Sequence, residues 1–438
     1  MRSDAVPTLL LLVLLAGPGR RAGAGRTPLL DAAYGNTAGF LASLSRPANA
    51  SRIFYGVMFD AGSTGTRIHV YTFIQQGAGL PVLDNEMFHS VKPGLSAYAD
   101  SPGTAAHTVR TLLKVAKKTV PRLEWKRTPV ILRATAGFRL LAPDKAQALL
   151  RQVAGVFEES PFLLPDDGVS VMNGTNEGVL AWITINFLTG HLYANAKNTV
   201  GILDLGGGST QITFLPKLRK TIEGSPGADF VAQFEVFNSS HELYSHSYLG
   251  NGLMAARLAT LGALGAEGLE WRLFSSSCLP SKFSEEWTFG GLTYHLRGAS
   301  DGNGGYKPCY QEVLTVVQGV VHQPLELRDA TAFYAFSYYF DRAVDAGLID
   351  GAHGGALEVR DFKKSAKEAC SEMAKGGGGV VSSKPFLCLD LTYITCLLKE
   401  GFGFKEGTVL QLSKTVNHVE ASWALGAMLD HFYNLKIH

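Results

Sequence analysis

Residues 60–67 read DAGSTGTR and residues 204–211 read DLGGGSTQ. The first follows the apolar run IFYGVMF and leads into TRIHVYTF; the second follows NTVGIL and leads into TQITFL. A strand that enters a Gly-Ser/Thr turn and leaves as a second strand is a β-hairpin pattern. Such a turn presents consecutive backbone N–H groups and short hydroxyls, which together form an anion-binding concavity. Glycine serves there because the chain turns sharply or because a phosphate approaches the backbone closely. Two such turns facing each other hold one polyphosphate from both sides. They stand about one domain's length apart and so read as equivalent parts of two similar halves.

Each turn carries a carboxylate ahead of its glycine, Asp60 and Asp204. A carboxylate repels a phosphate unless a cation lies between them, so the pair reads as serving a divalent metal. Either aspartate alone reads equally as the cap of a tight turn. Oxygen donors without a His or Cys cluster point to Ca2+ or Mg2+ rather than Zn2+. Between the turns, the strand PVILRATAGFRLL brings Thr135 and Arg139, and NGTNEGVLAW places Glu177 at a helix start. A glutamate there is commonly a helix-dipole partner. Beside a metal-bound phosphate it is also the base that would orient and deprotonate water.

The chain has 438 residues, 46% hydrophobic and 18% charged, with a net charge of +2. That length favours two domains. The charge is spread without long like-sign runs, which argues against a nucleic-acid partner. The N-terminus pairs an early arginine with an apolar run and the small-residue pattern Ala22-Gly23-Ala24, laid out as a cleaved signal over 1–24. The alternative, a signal anchor, draws on Arg20 and Arg21. Once the signal is removed no stable membrane span is expected. Sequons at Asn49, Asn173 and Asn238 acquire meaning in a luminal chain. All five cysteines lie in the second half. Short-loop pairing joins Cys278 with Cys309 and Cys370 with Cys388, leaving Cys396 as a buried thiol.

From 53 onward strands alternate with helices, an α/β pattern. Helices are expected over 104–119 with Thr104 as cap, near 143–158, at VLAWITINFL, and over 250–263, 309–320, 331–346, 361–374, 389–400 and 421–434. The organisation expected is a lead-in over 25–50, one domain over 51–200 and a second over 201–438, with the last helix packing back toward the first.

DAGSTGTR, ATAGFRLL, GTNEGVLAWITINFLTG, DLGGGSTQ and SWALGAML resemble, in letters and order, the five conserved regions of the ecto-nucleoside triphosphate diphosphohydrolases, the apyrases. The likeness runs from about residue 53 to 436 and is nearest the soluble, endoplasmic-reticulum uridine-diphosphatase branch. It implies two actin/hexokinase-like, ribonuclease-H-type domains with the active site in the cleft between them. It also implies Glu177 as the base. Asp60, Thr135, Asp204, Gln211 and Trp423 would line the water shell of a Ca2+ or Mg2+ ion. Ser63, Thr64, Gly65 and Thr66, with Gly206, Gly207, Gly208 and Ser209, would bind phosphate. Arg67 and Arg139 either touch phosphate or support the hairpins. For the base, Tyr338 and Tyr393 are the candidate aromatics; each also reads as a core residue. Members of this branch prefer UDP and GDP, and their removal of UDP supports glycoprotein folding; the implied partner is therefore a nucleoside diphosphate, acted on by a monomer. A sugar or acetate kinase of the same superfold, a chaperone-like switch and a luminal lectin are the rivals, separated by acceptor dependence, a client domain and absence of phosphate release. A glycan on Asn173, four residues before Glu177, would crowd the cleft unless the site is unused or the loop points away. The end, NLKIH, lacks a KDEL-type signal, which leaves secretion open beside residence in the endoplasmic reticulum.

Overall fold

The computed structural model describes residues 52–76, 81–192, 198–236, 239–263, 272–299, 304–329, 332–375 and 384–434. Asn49 and Asn238 lie outside them, as do the expected signal and lead-in.

The first sheet holds five strands. β1 (Arg52–Ala61), β2 (Thr66–Gln75) and β3 (Val82–Val91) form an antiparallel meander, and β4 (Val130–Ala134) and β5 (Val169–Val171) add on parallel to β1, giving the order β3-β2-β1-β4-β5. β6 (Gly201–Leu205), β7 (Ser209–Phe214), β8 (Val231–Val236) and β9 (Ser239–Leu249) begin a second sheet. A separate three-stranded sheet, β10 (Leu273–Ser276), β11 (Ser284–Phe289) and β12 (Leu292–Gly298), follows. β13 (Phe333–Ser337), β14 (Gly355–Glu358) and β15 (Val409–Leu412) complete the second, in the order β14-β15-β13-β6-β7-β9-β8. Within it β6, β7 and β9 run antiparallel while β13 and β15 run parallel to β6. The arrangement around β6 repeats the one around β1, so the chain has two ribonuclease-H-type halves of the actin/hexokinase kind.

Helices cover the sheets: α1 (Pro102–Thr119), α2 (Pro143–Glu158), α3 (Gly174–Leu188), α4 (Leu253–Thr260), α5 (Tyr306–Val317), α6 (Tyr338–Asp345), α7 (Val359–Ala374), α8 (Leu387–Cys396) and α9 (Ala424–Asn434). α1 begins at Pro102 and not at Thr104: a proline tolerates the first helical position, where no N–H partner is needed, and Ser101 precedes it without a side-chain cap. The expected helix over 331–346 is half strand. β13 lies between β6 and β15, so FYAFS meets protein on both sides and loses the alternation that marks a half-exposed strand.

α3 is apolar all round because it is covered all round. Trp182, Ile183 and Ile185 share one core with Phe54 and Met58 of β1, Ile202 of β6, Leu243 of β9 and Leu425 and Met428 of α9. A Cβ on Gly426 would sit 2.0 Å from the Leu180 carbonyl oxygen, so only glycine lets α9 approach α3 this closely. α9 thus packs on α3 and β1. The expected disulfides are present, Cys278–Cys309 and Cys370–Cys388, and Cys396 is free and buried.

Candidate active site

The β1–β2 and β6–β7 turns meet at a cleft of about 340 Å³. In the first turn the Gly62 N–H donates to the Gly65 carbonyl across 3.1 Å; in the second the Gly206 N–H donates to the Ser209 carbonyl across 3.0 Å. The two touch. A Cβ on Gly207 would come within 2.6 Å of the Ser63 hydroxyl, which explains why the second turn is so rich in glycine.

Asp60, Gly62, Ser63, Thr64, Thr135, Glu177, Asp204, Gly206, Gly207, Gly208, Ser209, Tyr338 and Trp423 all line this cleft. Gly65, Thr66 and Gln211 stand behind the lining. Thr66 is fully buried, and the Gln211 amide donates to the Ser209 and Ser247 hydroxyls, 2.8 Å each, holding Ser209 in place. Tyr393 is a correction. It is fully buried, and its hydroxyl donates to the Asn251 carbonyl across 2.5 Å, so it belongs to the α8 core and not to the cleft.

Asp60 and Asp204 sit one residue before the ends of β1 and β6 and are nearly buried. Arg67, paired with Asp60 across the hairpin, donates to Asp60 Oδ2 at 2.6 Å. Asp60 Oδ1 and Asp204 Oδ1 are both buried without a hydrogen-bond partner among the described residues. Two orphaned carboxylate oxygens beside hydroxyl-rich turns fit a hard divalent cation, directly or through its waters. Burial pushes the Asp204 carboxyl up to about 6, against the Ser337 hydroxyl and the Arg67 charge.

Glu177 lies in the first turn of α3, whose cap is Asn173: the Asn173 side-chain oxygen accepts from the Thr175 N–H at 2.8 Å. Burial raises the Glu177 carboxyl to about 7, with Arg139 opposing and Asp204 and Asp60 adding to the rise. Arg139 donates to Glu177 Oε2 at 2.7 Å, to the Ser209 hydroxyl at 3.2 Å and to the Met172 carbonyl at 3.1 Å. It therefore supports the base and the second hairpin. Asn173 itself is exposed and lines a separate outer groove with Arg133, Asp430 and His431. The loop points away from the cleft.

Several polar lining groups went unread in the sequence, among them Lys92, Arg257, Ser337, Asp341, Arg342 and Glu420. Arg257 and Arg342 share the fully buried Asp390, through bonds of 2.8 and 2.6 Å from Arg257 and 3.0 Å from Arg342. Arg342 also stands 5.7 Å from the Tyr338 ring centre. Ser337 joins β13 to α6 with φ of 57°, a conformation uncommon outside glycine, asparagine and aspartate and frequent at functional sites. That φ leaves no signature in the letters.

Two actin-like halves closing on paired phosphate-type turns, with a buried carboxyl of raised pKa between them, have the build of a nucleotide phosphohydrolase. Residues 47–438 match the GDA1/CD39 (nucleoside phosphatase) family, and the chain belongs to it. It is therefore a hydrolase. It is 58% identical over 393 residues to ectonucleoside triphosphate diphosphohydrolase 5 of Gallus gallus, covering 89% of this chain and 90% of that one. With the nucleoside diphosphate phosphatase ENTPD5 of Homo sapiens it shares 55% over 400 residues, 91% and 92% of the two chains. A crystal structure of nucleoside triphosphate hydrolases from Neospora caninum has the same fold, with a TM-score of 0.62 at 13% identity over 93% of this chain and 97% of that one.

Proposed function

We propose that the chain hydrolyses nucleoside diphosphates, UDP and GDP before others, to the monophosphate and phosphate. The observation that carries the proposal is Glu177: a carboxyl raised to about 7, buried at the cleft and aimed by Arg139. Glu177 accepts a proton from water as the water oxygen bonds to the terminal phosphorus. The bond from that phosphorus to the bridging oxygen breaks, and the nucleoside monophosphate leaves. No phosphoenzyme forms. The N–H groups and hydroxyls of the two turns receive the charge that develops on the phosphoryl oxygens. Asp60 and Asp204, with Thr135, Gln211 and Trp423 around them, would hold a Ca2+ or Mg2+ ion, which when bound neutralises phosphate charge. Tyr338 stacks the base.

The likeness to the two diphosphohydrolase 5 relatives supports the diphosphate reading. The leader and sequons support a luminal setting, the endoplasmic reticulum or the secreted space, where the enzyme would clear UDP left by glycosyl transfer. No helix among the described residues is long and apolar enough to cross a membrane. Phosphate release from UDP, GDP, ADP, CDP and their triphosphates, with Ca2+ or Mg2+ and then a chelator, tests the proposal. Fast, cation-dependent release from UDP and GDP is the expected result; release only from triphosphates would overturn the substrate, and none from any nucleotide the reaction.

A further inference from the structure

A line of ionisable side chains runs beneath the cleft and joins the first sheet to the segment that carries Trp423. It starts at Asp60, whose Oδ2 accepts from Arg67 at 2.6 Å; Arg67 Nε stands 3.8 Å from Glu420 Oε1. Glu420 Oε2 faces His69 Nε2 at 3.4 Å, and His69 Nδ1 meets Glu86 Oε1 at 2.7 Å. The other Glu86 oxygen accepts the backbone N–H of Glu420 at 2.7 Å. Glu86 lies in β3, in register with Tyr71 of β2, and its side chain is 2% exposed; His69 is fully buried between the rings of Tyr71 and Phe88.

Buried ion pairs add little stability over well-packed apolar groups, so stability alone is a poor reason for such a line in the middle of a sheet. What it does have is direction. One end fixes Asp60 Oδ2, leaving Asp60 Oδ1 buried and without a hydrogen-bond partner among the described residues. The other end pins the backbone of Glu420, and Glu420, Ala421, Ser422 and Trp423 all line the cleft. Glu86 has two oxygens and two bonds, one to each arm.

We infer that Glu86 is a positioning residue for the cation and nucleotide site, acting through His69 and Glu420 to set both Asp60 and the Glu420–Trp423 wall. The inference rests on the proposed function, and the test separates the two. Its arms are terbium luminescence sensitised by tryptophan, which reads cation binding without turnover, and steady-state UDP hydrolysis against Ca2+ concentration. Glu86→Ala is expected to raise terbium half-saturation and Ca2+ half-activation by about tenfold, the effect usual when a partner behind a ligand is lost. KM for UDP rises alongside while kcat falls by less. Glu86→Gln keeps the shape, but its amide donates where one oxygen accepted, so it falls between wild type and Glu86→Ala. A purely structural role would lower the melting temperature and leave the folded enzyme's terbium affinity and KM unchanged; that result overturns the inference. If Glu86→Ala does not fold, Glu86→Gln and Glu420→Gln decide in the same way. If wild type releases no phosphate, the proposed reaction falls and the terbium titration still judges Glu86.

Discussion

Arg139 donates to Glu177 across 2.7 Å, bridging 38 positions of sequence. The bond lets a buried carboxyl act near neutrality: burial raises it to about 7, and the guanidinium prevents a larger rise. As a base Glu177 works only when ionised. kcat/KM for UDP should therefore climb with pH through about 7 and level off above, a limb that a pH–rate profile resolves. Arg139→Met removes the opposing charge and should move that limb to higher pH.

Glu177→Gln keeps the shape and the Arg139 contact but cannot take a proton. A loss of about a thousandfold in kcat is expected, with nucleotide binding by calorimetry largely kept. Near-normal turnover would remove Glu177 from the mechanism.

The two aspartates should behave alike, since each offers a buried oxygen without a hydrogen-bond partner among the described residues. Asp204→Asn should raise the Ca2+ concentration for half-activation by tenfold or more on the scale usual for lost ligands, roughly a kcal/mol or greater. A cation titration at saturating UDP measures this. Unchanged half-activation in a folded Asp204→Asn protein would contradict the cation reading.

Tyr338 and Tyr393 part company. Tyr338→Ala should raise KM for UDP, because a half-buried ring in the cleft wall is lost. Tyr393→Phe should leave KM alone and cost about 1 kcal/mol of stability, since the Asn251 carbonyl loses its donor. Kinetics beside thermal unfolding of the two variants tells the roles apart.

The hairpins were legible because their chemistry is contiguous: carboxylate, glycine and hydroxyl stand within eight letters, and the strands flank them. Pairs made through space were not. Nothing near Glu177 announces Arg139, and nothing at Glu86 announces His69 or Glu420. β13 hid as a helix because a central parallel strand is apolar on both faces, and Tyr393 stood as a base candidate beside its core reading because aromatic letters in a helix do not say which side the core lies on. The disulfides were within reach because neighbouring cysteines close short loops.

Asn173 carries the last prediction, because it is both a sequon and the cap of the helix that bears Glu177. The two roles are compatible: the cap uses the side-chain oxygen, which accepts from the Thr175 N–H, and a glycan attaches to the nitrogen. The side chain is exposed in an outer groove away from the cleft lining, so a sugar there leaves the substrate path open. In chain secreted from eukaryotic cells, the peptide containing Asn173 should carry an N-glycan removable by glycosidase. Thr175→Ala destroys the sequon and keeps the Asn173 cap; Asn173→Asp destroys it and keeps an oxygen acceptor. Both should lose the same glycan mass and retain the helix, whereas Asn173→Ala loses the cap as well and should drop stability by about 1 kcal/mol more. An unmodified Asn173 in chains whose Asn49 or Asn238 is glycosylated would show that this sequon goes unused, and the three variants would then differ only through the cap.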